Sequence, residues 1–293
     1  MSSLASAIEL RGVHARQAEL VAAGSIEMSP RELHRAGALA ALLPADACVY
    51  VPSLPGLPLS RALDAVGAIR AAGLDPVPHV SARRILERAE FRTFLERAVR
   101  EHGVHRVLLL GGDEPRPKGP YADAAAVLEE GVLAECGIRE IGVAGYPEGH
   151  PRIPTAALQE ALARKIALAR EQRLGLYIVT QFSFAPARVV EYCAELARQH
   201  PAVPVYAGIA GPTDPAALAR YAQRCGVSAS LRALRTLGTG IARLVTHTDP
   251  TDHVLALARY NDARESSNVV GVHVFSFGGV LGTAEWMRSL LSR

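Results

Sequence analysis

Short apolar, β-branched runs recur along the chain, and each is followed by a longer stretch whose apolar positions return every three or four residues. The runs cover 24–28, 47–51, 76–80, 104–110, 140–144, 176–180, 203–209 and 269–275, and each is predicted as a strand. Helices are predicted over 59–72, 91–102, 122–136, 155–172, 187–200, 215–225, 230–245, 250–266 and 283–291. A further helix opens at Ser29-Pro30, where proline suits the first helical turn. Eight strand–helix units in one chain predict an α/β fold, a single-domain (β/α)8 TIM barrel over 1–293. Residues 1–20 are expected to form an N-terminal helical extension closing the lower end of the barrel, and extra helices fall between strands 7 and 8.

Composition narrows the class. The 293 residues are 49% hydrophobic and 21% charged, with a net charge of +3, which describes an ordinary globular chain large enough for one barrel core. The arginines are spread along the helices without a basic, aromatic-interleaved block, so nucleic acid is not an expected partner. The apolar runs fall short of the ~20 residues that cross a bilayer, and the first residues lack the pattern of a signal peptide. Cys48, Cys136, Cys193 and Cys225 show no paired or metal-ligand spacing, so reduced thiols, a cytoplasmic location and no metal are expected.

In a parallel α/β barrel the chemistry collects at the carboxyl ends of the strands. Glu27, His79, Asp113, Glu148, His150 and Gln181 all stand where apolar runs stop. Alternation puts Glu27 on the opposite strand face from Ile26 and Met28. Burial there is expected to raise its pKa and suit it to general-acid work, the alternative being a solvated carboxylate or a helix-cap partner. Gly111-Gly112-Asp113 ends a strand in two glycines that let backbone approach a ring or phosphate, with a turn-capping aspartate as the alternative. Pro147 and Pro151 stiffen the loop that presents Tyr146, Glu148 and His150, a planar-ligand site or a rigid structural loop. The Gln181 carboxamide can both donate to and accept from a heterocycle edge, and Arg164 and Lys165 can meet a phosphate or form a solvated face. The run from His247 to His253 reads as a capped helix start rather than a metal site.

Taken together, Ser25-Ile26-Glu27-Met28-Ser29-Pro30, Pro78-His79-Val80, Gly111-Gly112-Asp113-Glu114-Pro115, the segment Val143 to Pro151 and the segment Ile178 to Phe184 resemble the methylenetetrahydrofolate reductases in order and spacing, over about 25–277. The resemblance implies a (β/α)8 flavoprotein that takes hydride from NADH or NADPH through FAD to 5,10-methylenetetrahydrofolate, giving 5-methyltetrahydrofolate. It implies that Glu27 is the general acid, that Asp113 is the carboxylate beside flavin and pterin, and that Gln181 grips the pterin edge. It places His79, Gly112, Asp113, Tyr121, Tyr146, His150, Arg164 and Lys165 at flavin-contacting positions. The partners implied are the folate and a nicotinamide nucleotide, and a homo-oligomer is left open. The chain departs from the family pattern at Gly111, where an arginine is common, and at Pro52-Ser53, Ala161, Pro215 and Gly278-Gly279. The alternatives are the same chemistry run as 5-methyltetrahydrofolate oxidation, a folate-binding barrel without redox activity, and direct hydride transfer from NADH.

Overall fold

Eight parallel strands close on themselves in chain order, β1 to β8, as a barrel. The computed structural model describes residues 2–224, 227, 250–264 and 266–292. The strands are β1 Ser25–Glu27, β2 Cys48–Val51, β3 Asp75–Ser81, β4 Arg106–Leu110, β5 Glu140–Gly145, β6 Gly175–Thr180, β7 Val205–Ala210 and β8 Val269–Phe275. The helices are α1 Ser2–Ala22, α2 Ala36–Ala40, α3 Leu59–Ala71, α4 Arg88–His102, α5 Ala124–Glu130, α6 Val132–Glu135, α7 Thr155–Glu171, α8 Pro186–Gln199, α9 Pro215–Arg224, α10 Thr251–Asp262 and α11 Val280–Leu291. The helix expected over 230–245 lies outside the described residues.

The period-two pattern sorts each strand between two cores. Ile26, Val49, Val107, Ile141, Ile178, Val272 and Val274 belong to the large core under the helices. Their alternates Tyr50, Val77, Leu108, Tyr177 and Val179 pack together from four strands, which they can do only inside the barrel. Closure brings β1 and β8 side by side, with Ser25 opposite His273 and Ile26 opposite Val274. Ser25 and Glu27 on β1, His79 on β3 and His273 on β8 therefore share the interior with Tyr50.

Three elements differ from expectation. The segment after Ser29 is a 3-10 turn, Pro30–Arg35, held by the Ser29 hydroxyl accepting from the Arg31 amide, and only then the short α2. The helix expected over 122–136 is broken into α5 and α6 at Gly131, whose φ of 76° is a left-handed conformation that no helix continues through. The N-terminal helix forms, but α1 packs along α10, α11 and β8, in the outer ring beside β8 rather than across the lower end. No helix among the described residues is long and apolar enough to cross a membrane.

Candidate active site

The barrel interior carries a carboxylate between two imidazoles. Glu27 Oε1 lies 3.5 Å from His273 Nε2 and 3.6 Å from His79 Nε2. On its other nitrogen His273 meets the Ser25 hydroxyl at 2.8 Å. The Tyr50 ring stands edge-on to both imidazoles, 4.5 Å from His273 and 5.9 Å from His79 between centroids, and its hydroxyl bonds to that of Tyr177 at 2.9 Å. Ser276, just past β8, donates to the Glu27 carbonyl at 2.6 Å and ties the two strand ends. Nε2 of each histidine is buried without a hydrogen-bond partner among the described residues. Such orphaned polar atoms are costly and mark a place where a ligand or water completes the set.

The electrostatics correct the expectation for Glu27. Burial does push its carboxyl up, but His273 and His79 outweigh burial and hold it below the ordinary value. Burial drives His79 the other way, down to about 4 against Glu27's opposing pull, so this ring is neutral at physiological pH. His79 titrates at 6.5 when unfolded, so the unfolded chain binds its proton first. Stability is therefore lost as pH falls from 6.5 toward 4, and Glu27, with its depressed pKa, adds a further loss below that. Urea midpoints are expected to fall between pH 7 and pH 4.5, and His79→Gln is expected to flatten that dependence; an unchanged slope would remove His79 as the cause.

His273 is not among the residues the sequence singles out, because it lies within β8 rather than at the strand's end. The signal was there: in Val272-His273-Val274 the imidazole alternates with two apolar residues, the same pattern that singled out Glu27.

The rim of the mouth is built from the loops after β3, β4, β5 and β6. Gly112 has φ of 93°, and a side chain there would sit 3.2 Å from Glu114 Oε2, so the turn needs glycine. A Cβ on Gly111 would meet open space. Asp113 is exposed and accepts no hydrogen bond from the described residues, yet its charge reaches Tyr146 and His150. Burial, then Asp113, raises the Tyr146 hydroxyl. Burial and Arg152 lower His150, and Asp113 opposes them. The Tyr146 and His150 rings meet edge-on at 5.6 Å, and His150 Nδ1 accepts from the Arg152 amide at 3.2 Å, which leaves the ring proton on Nε2. Gln181 is held by its amide to the Gly145 carbonyl at 2.8 Å, and its carboxamide oxygen accepts from the Phe182 amide at 3.1 Å.

The remaining positions lie farther out. Tyr121 is buried against Phe91 with the Arg88 guanidinium 5.6 Å over its ring, and burial raises its hydroxyl to about 12. Lys165 is half-buried on α7, and burial lowers it to about 8 with Asp123 pulling upward. Arg164 pairs with Glu129 of α5 on the exposed flank of the same helix. Glu148 faces a cleft of about 580 Å³ between α7 and α8, away from the interior cluster. On the β6–β8 side an aromatic stack closes the mouth: Tyr221 lies on Phe277 at 4.2 Å, Phe277 on Phe275 at 5.6 Å, and Phe275 stands edge-on to His273 at 4.9 Å. Sequence reasoning noted Pro215 and Gly278-Gly279 as departures and passed over these aromatic residues.

Among the described residues no group of three His, Cys, Asp or Glu side chains is arranged to hold a metal. A flavin fits what is present in one respect: open space at Gly111 lets the backbone at the mouth approach a ring closely, while Lys165, farther out on α7, is a half-buried cation.

Fold and site thus define a (β/α)8 barrel with an acid–imidazole cluster at the carboxyl ends of its strands. A family profile described as methylenetetrahydrofolate reductase matches residues 60–237, and the chain belongs to that family. Methylenetetrahydrofolate reductase 2 of Saccharomyces cerevisiae is 30% identical over 132 residues, 41% of this chain, and the chain spans 21% of the length of that yeast protein. Among solved structures, a Clostridium thermocellum protein that binds two copies of 5-methyl-5,6,7,8-tetrahydrofolic acid superposes with a TM-score of 0.61 at 11% identity, covering 92% of this chain and 93% of that one. At that identity the likeness speaks for the barrel alone. Dihydropteroate synthase from Thermus thermophilus is 16% identical with a TM-score of 0.47, covering 92% of this chain and 91% of that one.

Proposed function

We propose that this protein transfers hydride between a nicotinamide nucleotide and 5,10-methylenetetrahydrofolate through bound FAD, with Glu27 as the acid and Asp113 as the electrostatic partner of the reacting folate. The observation that carries the reading is Glu27, its side chain 14% exposed, between His273 and His79 in a chain of this family. The folate bound by the Clostridium thermocellum barrel agrees with the substrate class. When bound, the flavin supplies the hydride relay between nicotinamide and folate.

The chain's own residues have distinct tasks. Glu27 gives a proton to the nitrogen that leaves when the bridging ring of the folate opens, and the cation so formed takes up hydride to become the methyl group. His273, anchored by Ser25, orients the Glu27 carboxylate and lies within reach to return its proton. Asp113 faces the cation from the rim, and Gln181 holds the pterin edge. Gly112, Tyr146 and His150 hold the flavin ring, and Lys165 with Arg164 meets its phosphates. A reducing cytoplasm suits the free thiols of Cys48, Cys136 and Cys193.

One observation favours a second reading, a folate-binding barrel that keeps no flavin. Gly111 carries no guanidinium, and Arg164 is engaged by Glu129. A lost charge-assisted hydrogen bond weakens binding by about 1.5–3 kcal/mol. Equilibrium dialysis decides between the two. The expected result is one FAD site per chain, and affinity that weakens as pH rises past about 8, where Lys165 loses its proton. No binding at high micromolar FAD would turn the reading to the flavin-free barrel.

A further inference from the structure

The turn that carries Asp113 is held by two consecutive arginines from the neighbouring loop. Arg83 and Arg84 end the 3-10 turn Ala82–Arg84, directly after β3. The Arg84 guanidinium donates from Nε to Glu114 Oε1 at 2.6 Å and from a second nitrogen to the Ser53 carbonyl. Arg83 donates its amide to the Gly111 carbonyl at 3.0 Å, and its guanidinium to the carbonyls of Glu114 at 3.1 Å and Ala122 at 2.7 Å. The loops after β2, β3 and β4 are thereby joined. This is not a solvated ion pair: the Arg84 and Glu114 side chains are 16% and 11% exposed, and removing one partner of so covered a pair leaves the other charge uncompensated. Lys118 approaches Glu114 only to 4.0 Å and is half exposed, so it is no substitute.

We infer that Arg84 is a positioning residue for Asp113, acting through Glu114, an inference that rests on the function proposed above. Two physical consequences follow from the geometry. Asp113 has no hydrogen bond of its own among the described residues, so the direction of its carboxylate is set by the backbone on either side, at Gly112 and Glu114. Arg84 also holds the Glu114 carboxylate turned inward, with Oε2 buried and 3.2 Å from where a Gly112 side chain would be. Released, that carboxylate would swing toward solvent beside Asp113 and double the negative charge at the rim. The clasp thus sets both the position and the number of the charges presented to the substrate.

The test compares Arg84→Met, Glu114→Gln and the double variant in the full chain, by amide hydrogen exchange and by the two half-reactions in the presence of FAD. Arg84→Met is expected to raise exchange over 111–118 by about tenfold or more, leaving α8 and β6 unchanged. It should slow folate reduction by about tenfold to a hundredfold, the scale of a catalytic group misplaced by about an ångström, while flavin reduction by NAD(P)H keeps its rate. The double variant should be about as slow as Arg84→Met alone, because both substitutions break the same contact and their effects do not add. Exchange that stays at the wild-type level in Arg84→Met would overturn the clasp, and raised exchange with an unchanged folate rate would overturn its role in placing Asp113. Should Arg84→Met fail to fold, Glu114→Gln alone carries the same exchange and rate comparison. A wild-type chain that reduces no folate would sink the proposed function and with it the role assigned to Arg84, while the exchange result would still report separately on the clasp.

Discussion

Glu27→Gln is expected to abolish reduction of 5,10-methylenetetrahydrofolate and to leave the exchange of hydride between NAD(P)H and flavin intact. Opening the bridging ring needs a proton on the leaving nitrogen, and a carboxamide keeps the shape and a hydrogen-bond donor but has no proton to give. Positioned acids contribute about 10²- to 10⁴-fold, and the loss should lie in that range in stopped-flow reoxidation of the flavin by the folate. The imidazoles sharpen the prediction. They hold the Glu27 carboxyl low, which makes it a stronger acid but leaves less of it protonated at neutral pH. The folate half-reaction should therefore quicken as pH falls, within the range the fold tolerates, and the variant should lose that dependence. A parallel fall of both half-reactions would mean damage to the whole site. A rate unchanged in both would make Glu27 a buried structural carboxylate tied to His273.

Asp113→Asn should slow the same step by about 10²- to 10³-fold, the usual scale for one preorganised electrostatic group, with FAD affinity changed little. The cation that Asp113 faces exists only late on the reaction path, so its loss should appear in kcat far more than in KM. Its exposure in the free chain makes the prediction sharper, since an open carboxylate gains its influence only when ligands at the mouth exclude water around it. The readout is single-turnover flavin reoxidation at saturating folate. If that rate is unchanged, the aspartate serves the geometry of the Gly111–Glu114 turn instead. Titration of His150, which feels Asp113 directly, reports in the same variant whether the charge was removed without moving the loop.

Much of the barrel is readable in the sequence. Eight apolar runs with helical stretches between them state the architecture, since a parallel strand must be followed by a crossover before the next can pair with it. Period-two alternation told which face Glu27 takes, and the Tyr146–His150 loop announced itself by its prolines. Gly131 was harder: the 3.6-residue pattern runs on through it, and only its left-handed backbone ends α5 there. Arg84 drew no reading and Glu114 entered only as part of the Gly111–Pro115 segment, because each looks like an ordinary surface charge in its own loop. Their pairing at 2.6 Å depends on how the loops after β3 and β4 fold over one another.

The sequence by itself determined the order of the strands, the opposed faces of Ile26 and Glu27 on the first of them, and the loops that bear polar groups at the carboxyl ends. These follow from local backbone periods and from the demand that apolar faces be buried. Only the tertiary structure decided what those groups do to one another. Ser25 and His273 are 248 positions apart and meet because the last strand closes on the first. That closure sets Glu27 between two imidazoles and reverses the pKa shift that burial alone would produce. Electrostatic interactions depend on distance and dielectric through space, and separation along the chain specifies neither until the barrel is closed.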